Sequence, residues 1–275
     1  MSATGLRWTS AGAVASPEAL QIRAAPAFVS RIAVGAPAPS RALTDDEVTA
    51  NVAHFTRDRS GPRDQLVRTV IVSGCVTVPT SIDAWRRWGV QRIVAHVDDQ
   101  VAMWTSAVDE VVLGVHRPDQ PIDADGATVN IELNASVLAG LGGLMQRIDE
   151  SGARRVILTW PFPRAEAPVP PTAAEVVRAL HESGVLERSD RVIKGLPPCT
   201  FARTGISGPP IAAGRTRNRW YVDSDHQRGA ALLFFPDLVR FARPDSCRVC
   251  RWSDRCDGVA DAWLALGLAG PLVPL

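Results

Sequence analysis

The stretch LVRTVIVSGCVTVPTSIDAWRRWGVQRIVAHV, Leu66–Val97, decides the fold. LVRTVIVSG is short, rich in β-branched residues and closed by a glycine, which is the pattern of a buried strand. SIDAWRRWG, 81–89, has the length and composition of a helix, and QRIVAHV, 91–97, is a second buried strand. Two buried strands joined through one helix form the parallel crossover, because a parallel pair cannot be closed by a tight hairpin.

Outward from this unit the same alternation repeats. Before it lie LQIR, 20–23, and FVSRIAV, 28–34, as strands, then the Pro-rich break GAPAPS. The helix ALTDDEVTANVAHFTRD follows, with Thr44 as its cap and acidic residues in its first turn. After it come a short helix VAMWTSAV, a strand EVVLGV, a strand ATVNIELN and one helix over VLAGLGGLMQRIDESG. RRVILTW, the helix TAAEVVRALHESG and the last strand RVIKGLPP complete the series. Strands and helices in this order predict an α/β fold with a parallel sheet and helices outside it. No Gly-rich dinucleotide loop interrupts the series, which favours a partial (βα)6 TIM-like barrel over a doubly wound sheet. From Cys199 the rhythm stops: RWYVD reads as a short strand, ALLFFPDLVRFA as helix or strand, and DAWLALGL as a closing helix. The expected organisation is a flexible tail over 1–19, the barrel over 20–198 and a cysteine-bearing extension over 199–275.

Composition narrows the class. The chain has 275 residues, 46% of them hydrophobic, with 30 basic against 29 acidic side chains. That balance gives no electrostatic support for a nucleic-acid partner. No apolar window is long enough for a bilayer, and the N-terminus has no sustained apolar core of the kind a secretion signal needs. Five cysteines are too few and too unevenly spaced for a disulfide framework, so a reducing, cytoplasmic setting is expected.

Three of those cysteines fall in PDSCRVCRWSDRC: Cys247, Cys250 and Cys256. The two-residue spacing lets one turn aim a pair of thiolates at one centre, and Cys199 in GLPPCTF is the expected fourth ligand, on an approach stiffened by Pro197 and Pro198. Four soft thiolates suit an iron–sulfur cluster or, as the alternative occupant, zinc. Arg248, Arg251 and Arg255 are expected to place positive charge beside an anionic cluster, and Trp220, Trp252 and Trp263 to screen it from water. Cys75 ends a strand at the carboxyl side of the sheet and reads either as a packed residue or as a nucleophile. With His96 and Asp98 it makes the candidate catalytic set at the strand ends. His116, Glu132, Asn134, Trp160 and Lys194 share that position, and each histidine has a framework reading beside the functional one.

The CX2CX5C run Cys247, Cys250, Cys256, the GLPPC at Cys199 and the βα rhythm resemble a radical S-adenosylmethionine (radical SAM) protein. The C-terminal part is similar to an auxiliary-cluster extension of the SPASM or twitch kind. LVRTVIVSGC stands where that family has the strand leading into its GGEP segment, replaced here by SGCV, Ser73–Val76. VNIELN and ESGARRVILTWPFP look like its fourth and fifth barrel strands. The resemblance implies one 4Fe–4S cluster held by Cys199, Cys247, Cys250 and Cys256. The family's catalytic CX3CX2C motif is missing: Arg23–Arg41 has no cysteine, and none precedes Cys75. The expectation is therefore a degenerate family member that does not cleave SAM by itself. It would serve a protein partner, either a complete radical SAM enzyme or a peptide substrate. The rival expectation is a self-sufficient enzyme using polar or SAM-dependent non-radical chemistry at the strand ends.

Overall fold

The structure is a computed structural model that describes residues 6–9, 12–15, 18–26, 41–57, 67–163, 169–206, 219–233, 238–253, 256–272 and 274–275. In chain order the elements are β1 (Leu6–Thr9), β2 (Gly12–Ala15), β3 (Ala19–Arg23), α1 (Asp45–Thr56), β4 (Thr69–Ser73), α2 (Ile82–Arg87), β5 (Arg92–Val97) and α3 (Val101–Thr105). Then follow β6 (Glu110–Val115), β7 (Thr128–Glu132), α4 (Ala135–Ala139), α5 (Leu141–Glu150), β8 (Arg155–Thr159), α6 (Ala173–Glu182), β9 (Arg191–Lys194) and α7 (Pro198–Thr204). The chain ends with β10 (Trp220–Val222), β11 (Leu232–Leu233), β12 (Phe241–Ala242), β13 (Val259–Ala260) and α8 (Asp261–Ala265).

Local chemistry sets these boundaries. α1 and α6 both start in capping boxes, Thr44 with Glu47 and Thr172 with Glu175, in which the threonine oxygen accepts the third amide and the glutamate returns to the cap amide. The helix expected as one piece over 137–152 is two, α4 and α5, meeting at Gly140 in a glycine-rich segment of low helix propensity. The strand expected over 28–34 lies outside the described residues. Within the segment expected as a tail, β1 pairs antiparallel with β2.

The chain forms two compact units: 1–111 with 164–166 and 217–239, and 112–163 with 167–216 and 240–275. The stretch 199–275, read from sequence as one extension, is shared between them. In the first unit β3, β4 and β5 run parallel, β10 adds parallel to the other side of β3, and β11 is antiparallel to β10. Leu20, Ile22, Val70 and Val72 face the core with Val48, Val52 and Phe55 of α1 and with Trp85 of α2. The second unit has a parallel sheet β6–β7–β8–β9 and a two-stranded antiparallel ladder β12–β13. Val129, Ile131, Val156 and Leu158 are buried there, as are Leu144 and Ile148 of α5 and Val176, Val177 and Leu180 of α6.

This is the expected α/β architecture of mostly parallel strands flanked by helices. β5, β6 and β8 each bury three consecutive apolar residues and are apolar on both faces. Buried and half-buried positions alternate along β3, β4 and the end of β7, and the half-buried residues at or near the carboxyl ends are polar: Gln21, Arg23, Ser73, Asn130, Glu132. Because successive side chains point to opposite faces, β3, β4 and β7 each carry polar groups on one face toward their carboxyl ends.

Candidate functional site: a cavity lined by four cysteines

All four cysteines read as cluster ligands line one cavity, and all belong to the second unit. The space measures about 400 Å³ with its open mouth included, and Pro197, Pro198, Trp252, Gly258 and Leu272 are also in its wall. Cys199 sits in the first turn of α7, where Pro198 occupies a position whose amide has no helical partner to lose. Cys247 stands on a tight turn over Asp245–Val249 and Cys250 ends it: the Cys247 amide donates to the Pro244 carbonyl at 2.8 Å, and the Cys250 amide to the Cys247 carbonyl at 3.2 Å. Cys256 follows on another turn, its amide donating to the Trp252 carbonyl at 2.9 Å.

Two devices hold this loop. β12 and β13 zip its base, pairing Phe241 with Ala260 and Ala242 with Val259, and Arg243 Nη1 donates to the Ser253 carbonyl at 2.9 Å across its interior. Gly258, at φ +88°, passes so near the β12 backbone that a Cβ there would lie 2.3 Å from the Ala242 oxygen. Its amide points at sulfur, donating to Cys256 Sγ at 3.3 Å. Burial raises the Cys256 thiol pKa first, the Gly258 amide opposes that rise, and Asp257, Cys247 and Cys250 add to it by like charge.

No disulfide joins any of the five cysteines. Among the described residues no group of three or more His, Cys, Asp or Glu side chains is drawn together closely enough to hold one metal ion. The thiols thus share a space without converging on a point. Four soft thiolates are a donor set whose chemistry suits an iron–sulfur cluster or zinc.

No family model, curated protein or solved structure matches the chain.

The remaining sequence candidates are distributed otherwise. Trp252 lines the cysteine cavity. Trp263 is buried in α8 and donates from Nε1 to the Pro161 carbonyl at 2.7 Å. Trp220 and Tyr221 belong instead to β10 of the first unit, where Trp220 packs on Phe55. Arg248 pairs with Asp245 at 3.0 Å, Arg251 stacks near the Trp252 ring, and Arg255 lies outside the described residues. Cys75 is in the first unit, in the loop after β4. Burial and then the nearby Asp45 carboxylate push its thiol up to about 11, so it is neutral at pH 7 and a poor nucleophile. His96 is exposed at the end of β5 opposite Ser73 in register, and Asp98 is exposed just beyond the strand.

Asn134 caps α4, accepting from the Val137 amide at 2.9 Å, and donates from Nδ2 to the His116 carbonyl at 2.8 Å, so its work is positional. The residues that sequence reading passed over form a buried assembly around the β10–β11 hairpin. Asp223, fully buried, accepts through Oδ1 from the amides of Asp225 and His226 and meets His226 Nδ1 at 2.9 Å. Asn51 of α1 clamps the same hairpin, receiving the Arg228 amide at 2.8 Å and donating to Gln227 Oε1 at 3.0 Å. The signal available was Asp-Ser-Asp between two short apolar runs, a turn composition whose side chains close on their own backbone.

Proposed function

We propose that this chain is an iron–sulfur protein built on a degenerate radical SAM-like frame, holding one 4Fe–4S cluster on Cys199, Cys247, Cys250 and Cys256. The observation that carries the reading is the shared cavity: a cysteine from α7 and three from a loop nearly fifty residues later line the same space. The finer fold reading, a partial barrel with about six βα units, is supported by the strand–helix order and by the polar groups at the strand carboxyl ends. With four thiolates for four irons the cluster has no open coordination position, so when bound it supplies one-electron transfer or cross-linking and not Lewis-acid chemistry. The chain's own part is to exclude water with Trp252 and Leu272, to direct the Gly258 amide at one sulfur, and to fix the loop through Arg243. Amide–sulfur contacts of that kind raise a cluster's potential.

The role that follows is that of an accessory subunit in peptide or natural-product modification, positioning a substrate or relaying an electron for a complete radical SAM enzyme. The missing CX3CX2C motif supports this division of labour. Co-expression with a radical SAM enzyme, followed by affinity capture through either chain and by turnover with and without this subunit, tests it. A stable complex whose turnover falls when Cys199 or Cys250 is replaced by serine is the expected result. Turnover of a substrate by the isolated chain would overturn the accessory role. The rival reading, polar catalysis by Cys75, His96 and Asp98, is weakened at Cys75 by the raised thiol.

A further inference from the structure

The four parallel strands of the second unit end in a row of side chains that the cluster does not use. Register puts Glu132 opposite Thr159 and Thr159 opposite Lys194. His116, one residue past the pair Val115–Ile131, stands beside Glu132, with Nδ1 at 3.3 Å from Oε2. All four therefore lie on one face at one level, in the order imidazole, carboxylate, hydroxyl, ammonium. The row meets solvent: His116 and Glu132 side chains are 43% and 14% exposed, and Lys194 is exposed.

The row is also held in place. The His116 amide donates to Gln120 Oε1 at 3.1 Å, and its carbonyl accepts from Asn134 Nδ2. Gln120, itself buried, donates onward to the Gly114 carbonyl at 2.7 Å. Thr159 Oγ1 gives its proton to Asn130 Oδ1 at 2.7 Å, one level below on the same face, which turns the hydroxyl into an acceptor for anything above it. Beside Asn130 on that face is Gly114, which has no side chain to fill the space. Amide side chains spent on fixing one backbone residue, and a hydroxyl with its proton committed, are the arrangement of a preorganised ligand site.

We propose that this edge binds a free α-amino acid. The α-ammonium group meets Glu132 and the acceptor Oγ1 of Thr159, the carboxylate meets Lys194, and His116 orients the Glu132 carboxylate. Adjacent strands are about 4.8 Å apart, so Glu132 and Lys194 stand two strands apart, a gap their long side chains can close around a small zwitterion. A plain carboxylic acid would be repelled by Glu132, and a plain amine by Lys194. The site is independent of the cluster.

Saturation-transfer NMR of the full chain with an equimolar mixture of the twenty standard amino acids tests this, followed by titration of the strongest responder, its amide and its N-acetyl derivative. One or more amino acids should respond, with the amide and the N-acetyl form each at least about tenfold weaker. Glu132→Gln should weaken the parent at least about tenfold, and Lys194→Met should do the same while erasing its advantage over the amide. Absence of transfer to every amino acid, or unchanged titrations in both variants of folded protein, would overturn the site. Iron measured on the same samples separates the two proposals, because transfer without iron counts against the cluster alone.

Discussion

Each compact unit sets a histidine against a carboxylate near the carboxyl side of its sheet, and the two pairs do different things. In the first unit Asp223 is fully buried and His226 closes a turn on it, while Asn51 locks the same hairpin to α1. In the second, His116 and Glu132 stand on a solvent-meeting edge, with the supporting amides placed behind them. The cysteines divide the same way: Cys75 is alone and driven neutral in the first unit, whereas the other four share a cavity in the second. Polar groups that satisfy one another build structure. In the second unit four thiols line one cavity, and His116 and Glu132 meet solvent.

The largest effect that could break this contrast concerns the thiols. Serine at Cys199, Cys247, Cys250 or Cys256 should each lower anaerobically reconstituted iron severalfold, while Cys75→Ser leaves iron unchanged. Comparable loss at Cys75 would erase the distinction between the units.

A paired glycine experiment sharpens it. Gly74→Ala, in the first unit, and Gly258→Ala, in the second, both force a side chain onto a left-handed backbone, at φ +69° and +88°, with the new Cβ at 2.4 Å from Ala25 Cβ and 2.3 Å from the Ala242 oxygen. Each should cost about 1–3 kcal/mol in thermal or denaturant unfolding. Only Gly258→Ala should also lower iron retention, because that amide donates to the sulfur of Cys256, one of the four cavity cysteines.

Asn51→Ala removes the buried contacts that pin the β10–β11 hairpin and should cost about 1–3 kcal/mol. Amino-acid binding at the second unit's edge should not change in that variant.

The smallest expected effect is a pH dependence from His226, whose pKa is raised mainly by its hydrogen bond to Asp223. A raised folded-state value means that the pair's contribution is fully present below the unfolded histidine pKa, near 6.5, and is lost as pH rises through the folded value. Unfolding titrations of the parent against His226→Gln should therefore differ by under ~1 kcal/mol at acid pH and converge above neutrality. A difference that grows with rising pH would contradict the assignment.

Much of the fold was legible because it is written in local chemistry. β-Branched runs closed by Gly or polar residues gave β4, β5, β6 and β8, and Thr44 announced α1. What pairs with what was less visible. RWYVD reads as a strand, yet nothing local says that β10 joins β3, some 200 residues away, because register depends on burial that only the folded chain defines. The break at Gly140 and the division into two units were likewise hidden by a rhythm that runs through both. At the site, thiol spacing pointed to the cavity, and His116, Glu132 and Lys194 of the polar row on β6–β9 could be named, while Thr159 could not. The row's order across the sheet needed the register, and the Asp223–His226 turn needed the knowledge that its flanking runs pair.

The central claim is that Cys199 and the C-terminal triplet enclose one iron–sulfur cube. Quantifying iron, acid-labile sulfide and zinc in anaerobically prepared full-length protein, with its visible absorption and low-temperature EPR after reduction, tests it most directly. About four irons and four sulfides per chain, with a reducible cluster spectrum, are expected. Stoichiometric zinc, or protein that takes up neither iron nor sulfide, would contradict it.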